Sequence, residues 1–167
     1  MSAPHRTYYS GLVGAWAGDC TVQISGRPTG GRVQQLRAGA FRALARSKGS
    51  LVFSTTLTMQ GDEVRHTTQL TKWGLPVFNS RERIHLLPDG RHFELHGEQV
   101  FGPAPVGMQP FDAKGSVDDD ALGAIYFIPW FGGILEQRTK VIPDGLELVQ
   151  VTTWSKLSVV LKRRRTK

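Results

Sequence analysis

The stretch from Leu51 to Lys72, LVFSTTLTMQGDEVRHTTQLTK, constrains this chain more than any other. Its residues alternate in character with a period of two, the period of a β-strand. Gly61-Asp62, between Gln60 and Glu63, places glycine where a two-residue type II′ turn wants it. Counting outward from that turn pairs Met59 with Val64, Leu57 with His66, Thr55 with Thr68 and Phe53 with Leu70. One face of the hairpin is then apolar at both ends, with a polar patch of Thr55, His66 and Thr68 in its middle.

The same alternation recurs along the chain. From about Ala15 to Ser25, Trp16, Cys20, Val22 and Ile24 share a face with Gly18, while Asp19, Thr21 and Gln23 share the other. Gly26–Gly31 then interrupts the pattern. A second hairpin turns on Asp89-Gly90, pairing Leu86 with Phe93 and Ile84 with Leu95 inside, and His85 with Glu94 and Arg83 with His96 outside. A third turn lies at Pro143–Gly145, and a last strand, about Leu157–Arg164, sets Leu157, Val159, Leu161 and Arg163 on one face. Phe101–Phe111 reads as a Pro/Gly loop and Ser116–Gly123 as an acidic turn or a weak extra strand. The apolar run AIYFIPWFGGIL bends at Pro129 and Gly132-Gly133. One segment breaks the strand pattern. Val33, Leu36, Ala40, Phe41 and Leu44 recur at helical spacing, which predicts an amphipathic helix over about Val33–Ser47, ended by Gly49. Such a helix packs on a sheet or caps a barrel mouth; its arginines also suit a basic lid facing an anionic ligand or a membrane surface.

With 167 residues, 40% of them hydrophobic, and neither linker nor low-complexity tract, the chain reads as one domain over 1–167. The net charge of +7 would favour an anionic partner. The basic residues, however, gather in the tail 162–167 and at Arg32, Arg37, Arg42, Arg46 and Lys48, without the interleaved aromatics of a base-stacking surface. Solvated surface is the better reading, and nucleic acid is not the expected partner. No apolar run reaches the roughly 20 residues of a membrane-spanning helix. The first residues lack the apolar core of a secretion signal, and the lone Cys20 has no internal partner, so a cytoplasmic location is expected. Oligomeric state leaves no sign in the sequence.

Gly14-Ala15-Trp16, at the head of the first strand, resembles the G-x-W motif of the lipocalins and their calycin relatives. That resemblance implies an antiparallel sheet closed into a barrel, with the tryptophan plugging the closed end and an arginine of the final strand lying over its ring. Arg163 is the matching residue, inward by parity and near the end of the last strand. The second lipocalin motif and the helix before the final strand are not found, and the predicted helix falls where lipocalins carry a long lid loop. The expected fold class is all-β: a single antiparallel up-and-down barrel, calycin- or lipocalin-like, with one or two short helices.

An inward polar patch in such a barrel points to a cavity, because a fully dry core would avoid it. The ligand-binding candidates are Phe53, Thr55, Leu57, His66, Thr68, Trp73, Tyr126 and Trp130. The first functional expectation is binding of a small, mainly apolar molecule. The second is a cyclase or isomerase acting on a hydrophobic substrate, with His66 as the catalytic acid or base, since imidazole titrates near neutrality. Nothing in the sequence identifies a carboxylate to orient it. The third is haem, the one cofactor considered, bound as the resemblance to nitrobindins implies, with a histidine as axial ligand. A polyanion-binding module is the fourth. No metal site is expected. His92 and His96 lie roughly 13 Å apart on a strand, and Asp118-Asp119-Asp120 lacks the spacing of a calcium loop. Cys20 reads as an inert inward thiol. There is neither a phosphate loop nor a nucleophile elbow.

Overall fold

The computed structural model describes residues 3–26, 32–102, 107–128, 133–153 and 155–164. Ten strands form one closed antiparallel barrel. They are β1 (Gly14–Ile24), β2 (Leu51–Gln60), β3 (Glu63–Lys72), β4 (Leu75–Leu86), β5 (His92–Val100), β6 (Gln109–Val117), β7 (Gly123–Ile128), β8 (Gly133–Ile142), β9 (Gly145–Val151) and β10 (Ser155–Arg163). Each pairs with the next in sequence, and β10 closes on β1, so the topology is up-and-down. Closure leaves no sheet edge to template aggregation.

The two hairpin registers come out as turn chemistry and parity dictate. Leu57 faces His66 and Thr55 faces Thr68 across β2–β3. Ile84 faces Leu95 and His85 faces Glu94 across β4–β5. At the seam, Trp16 stands opposite Arg163, with the guanidinium 5.3 Å from the indole centre. The seam is close-fitting. A Cβ on Gly18 would lie 2.0 Å from the Val160 carbonyl oxygen, so the β10 backbone occupies that space.

Tight connections gather at one end of the barrel: residues 61–62, 87–91, 118–122 and 143–144. A helix absent from the sequence-based expectation seals this end. It is α1 (Pro4–Leu12), which opens with proline in its first turn, where the missing N–H is no loss. His5, Tyr8, Tyr9 and Leu12 fall on one helical face and are buried. Tyr9 meets Phe93 edge to face at 5.7 Å. His5 Nε2 lies 2.8 Å from the Leu87 carbonyl, and Arg6 pairs with Asp62. The Trp16 Nε1–H donates to the Leu12 carbonyl at 3.0 Å, satisfying a C-terminal acceptor of the helix. The tryptophan is therefore part of a floor that α1 completes.

The second helix, α2 (Arg32–Arg46), lies between β1 and β2 at the other end. Its apolar stripe is only partly used. Phe41 and Leu44 are half-buried, whereas Leu36 is 73% exposed and Ala40 is exposed. Its C-terminal half meets the barrel. There the Lys72 ammonium, itself buried, donates to the Leu44 and Ser47 carbonyls at 2.7 and 2.8 Å. A cation at a helix C-terminus complements both the orphan carbonyls and the helix dipole. Two other expectations are corrected. β6 (Gln109–Val117) takes in residues read as the end of a loop, and reaches into the segment for which an acidic turn and a weak extra strand were the two readings. β4 begins at Leu75, earlier than the hairpin pattern indicated. No helix among the described residues is long and apolar enough to cross a membrane.

Candidate functional site

Parity sends alternate residues of each strand inward, and register aligns them across strands into rows. One inward row reads Thr55–Thr68–Ser80–Gln99 across β2, β3, β4 and β5. The next, one layer nearer α1, reads Leu57–His66–Glu82–Gly97. A Cβ on Gly97 would lie 2.6 Å from the Phe111 ring, so glycine there makes room for an aromatic beside the charged pair.

His66 is the centre of the polar layer. Its Nδ1–H donates to Glu82 Oε2 at 2.8 Å, and its Nε2 lies 2.7 Å from Thr55 Oγ1 and 3.2 Å from Thr68 Oγ1. Glu82 Oε1 accepts from the Ser80 hydroxyl at 2.7 Å. Side chains of the pair are only 13% and 9% exposed. Burial by itself would raise the Glu82 pKa. The His66 charge beside it, with the hydrogen bonds from His66 and Ser80, outweighs that and holds it below the ordinary carboxylate value. The surroundings of Nε2 accommodate two states. An imidazolium can donate to Thr55, whose own hydroxyl reaches the Thr67 carbonyl at 3.1 Å. A neutral ring can accept from Thr68. Nε2 thus has a partner whether it acts as donor or as acceptor.

Below the pair, toward α1, lies a second polar group. Tyr126 donates to Gln137 Oε1 at 3.4 Å, Gln137 Nε2 donates to the Tyr8 hydroxyl at 2.7 Å, and Gln150 Nε2 donates to Gln137 Oε1 at 2.7 Å. Burial, with Glu82 and Tyr8 nearby, pushes the Tyr126 phenol well above its ordinary range. It is therefore a neutral donor at physiological pH. A gap of about 10 Å³ separates Tyr8, Tyr9 and Tyr126 from His66 and Glu82, roughly the space of one water.

Above the pair, toward α2, the barrel holds a cavity of about 80 Å³. Phe53, Leu70, Phe78, Leu135 and Leu157 give it apolar walls; His66, Thr68, Ser80, Glu82, Gln99 and Gln150 supply the polar surface. Phe41 of α2 and Phe101 stand at its outer end, 5.8 Å apart.

Of the residues singled out from sequence, Phe53, His66, Thr68 and Tyr126 line this cavity. Thr55 reaches it through its bond to His66. Leu57 lies deeper, against Tyr8 and Tyr9 around the small gap. Trp73 is corrected. It occupies the β3–β4 turn with a positive φ of 53°, is 65% exposed, and donates to the Lys48 carbonyl at 3.0 Å. As a turn residue it lies beyond the inward row of β3 that runs through His66, Thr68 and Leu70. Trp130 lies outside the described residues. Glu82, Ser80, Gln99 and the α1 tyrosines were missed. Strand parity was the available signal, since Ile84 inward implies Glu82 and Ser80 inward.

Elsewhere, His92 and His96 are outward and pair with Asp89 and Asp112. Among the described residues no group of three or more His, Cys, Asp or Glu is arranged to hold a metal ion. Both ring nitrogens of His66 are engaged, so an axial bond to haem iron would displace Nε2 from its threonine partners. The residues around His66 do not fit that group. The class defined by fold and site is a closed ten-stranded antiparallel barrel with an amphipathic interior and a buried His–Glu pair. That architecture is compatible with a calycin-like fold. No protein-family model matches the chain, and no curated protein matches it in sequence.

Proposed function

We propose that this barrel binds a small, mainly apolar molecule, its apolar body against Phe53, Leu70, Phe78, Leu135 and Leu157 and its polar end toward His66. The observation that carries this reading is the cavity itself. It has apolar walls but ends on hydrogen-bonding groups that are nearly out of reach of solvent. A buried ion pair is often neutral or worse for stability than an apolar replacement, so stability alone does not account for one here. The lipocalin and calycin resemblance supports the same reading. Native mass spectrometry of freshly purified protein tests it by looking for a copurified small molecule. Titration with the fluorescent apolar probe N-phenyl-1-naphthylamine tests it independently. Saturable enhancement, lost when Phe53→Asp fills the wall with charge, is expected; a probe that finds no site in a folded wild-type protein overturns the reading.

A second reading, an isomerase or cyclase, draws on one specific observation. Glu82 accepts from the His66 Nδ1–H and fixes the orientation of the ring, the arrangement general acid–base catalysis uses. Such an enzyme would move a proton between positions of one bound molecule. Its sign would be deuterium exchange from D₂O into a bound carbonyl compound, lost in His66→Gln while probe binding persists.

A further inference from the structure

The glutamine side chains Gln99, Gln137 and Gln150 are buried or half-buried inside the barrel, and they differ in one respect. The Nε2 donors of Gln137 and Gln150 are both satisfied, by Tyr8 and by Gln137. Gln99 is 4% exposed and lines the cavity, and among the described residues no atom accepts from its Nε2. A buried donor without an acceptor is unfavourable unless something entering the cavity takes up the bond.

Charge narrows what that something is. Among the described residues that line the cavity, Glu82 is an acid held in its ionised form, and the one basic group, His66, is bound to it. Lys72 is buried nearby but spends its protons on the Leu44 and Ser47 carbonyls. Arg42 donates from Nη2 to the Gly26 carbonyl, and although its buried Nε has no partner among the described residues, it is not one of the residues lining the cavity. Among the described residues lining the cavity, a ligand carboxylate would therefore meet a carboxylate and no lysine or arginine. Despite the chain's net charge of +7, its interior is a poor home for an anion.

We infer that the cavity is built for an uncharged ligand bearing a carbonyl oxygen, which Gln99 Nε2–H recognises, and that it discriminates against free carboxylic acids of the same length. This inference rests on the proposed binding function and specifies its ligand. Thr55, Thr68 and Ser80 continue the row that holds Gln99, so hydroxyl groups flank the recognition point.

Displacement of N-phenyl-1-naphthylamine, which has no carbonyl, tests it. Undecan-2-one and undecanoate are compared at pH 7.5 on wild-type protein, Gln99→Leu and Gln99→Glu. The ketone is expected to compete at least about 30-fold better than the carboxylate, because burying an unpaired carboxylate is strongly unfavourable. Gln99→Leu should weaken the ketone by about 5- to 10-fold, the range of one neutral hydrogen bond, relative to the probe, whose own affinity for each variant is titrated directly and used to convert the displacement curves. Gln99→Glu should weaken the ketone at least as much. Undecanoate competing as well as the ketone overturns the inference and points to Arg42 as an anchor at the mouth. An unchanged ketone affinity in Gln99→Leu also overturns it, while leaving cavity binding intact. If the probe itself does not bind wild-type protein, the underlying binding function fails with it.

Discussion

The Arg163 guanidinium lies over the Trp16 indole across the β1–β10 seam and also donates to the Val13 carbonyl at 3.3 Å. The indole N–H in turn holds the Leu12 carbonyl at the end of α1. Two chain ends are thus tied together at one ring, where the barrel closes and its floor begins. Arg163→Ala should lower stability by about 1–2 kcal/mol, through the lost cation–π contact and the lost packing of the arginine stem. In a double-mutant cycle with Trp16→Leu, measured by urea unfolding, the coupling should be about 0.5–1 kcal/mol. Additive effects would mean that the two side chains are neighbours without mutual stabilisation.

At the opposite end, α2 depends on one ammonium. Lys72 is 1% exposed and bridges two carbonyls at the helix C-terminus. Lys72→Met keeps the side chain's bulk and removes both bonds. The expected loss is about 2–3 kcal/mol, the range for hydrogen bonds to a charged donor. Hydrogen exchange should quicken in residues 41–47 more than in β2 or β3. A uniform rise across the barrel would show that Lys72 serves the sheet and not the helix.

Elements specified by adjacent residues were legible before the structure was known. The β2–β3 and β4–β5 registers follow from a two-residue glycine turn and from parity, both local properties. The Trp16–Arg163 contact was reached by resemblance, because nothing local joins residues at the two ends of a chain. The His66–Glu82 pair was half legible. His66 follows from its own hairpin, but its carboxylate lies on β4, and pairing of β3 with β4 turns on Trp73-Gly74, which carries no strong hairpin signal. α1 was overlooked because the first residues were weighed as a targeting segment, although Tyr8, Tyr9 and Leu12 already stand at helical spacing. Gln99 drew no attention because an unpartnered donor is a property of surroundings, not of residue type.

Cys20 should behave as a reluctant nucleophile. Burial, with the Asp19 charge beside it, raises its thiol pKa from 9.0 to about 11. Thiolate is the reactive form. At pH 8 the folded protein should hold about 100-fold less of it than a thiol with the ordinary value of 9.0. Alkylation by iodoacetamide should be slow in the native state, rise as pH approaches 11, and become fast on unfolding in urea. Rapid native alkylation at pH 8 would mean the thiol is neither shielded nor shifted.

Glu82 should leave its mark on acid stability. Its folded pKa lies below the ordinary 4.5: burial opposes ionisation, but the His66 charge and the bonds from His66 and Ser80 outweigh burial. A carboxylate with a depressed folded pKa stabilises fully above its unfolded value and loses that contribution as pH falls through the folded one. The native protein binds fewer protons at this site than the unfolded chain, so stability drops with pH below about 4.5. Glu82→Gln removes the titrating group and keeps an acceptor for the His66 Nδ1–H. Near pH 6.5 the variant should be less stable by about 1–3 kcal/mol, because a charge-assisted bond becomes neutral in a buried site. Below pH 4.5 the gap between the two proteins should narrow, as the wild type protonates and the variant has nothing to lose there. Urea unfolding at pH 6.5, 4.5 and 3.5 measures both curves. A constant gap over that range would show that the carboxylate's ionisation is not what the His66 pair contributes to the fold.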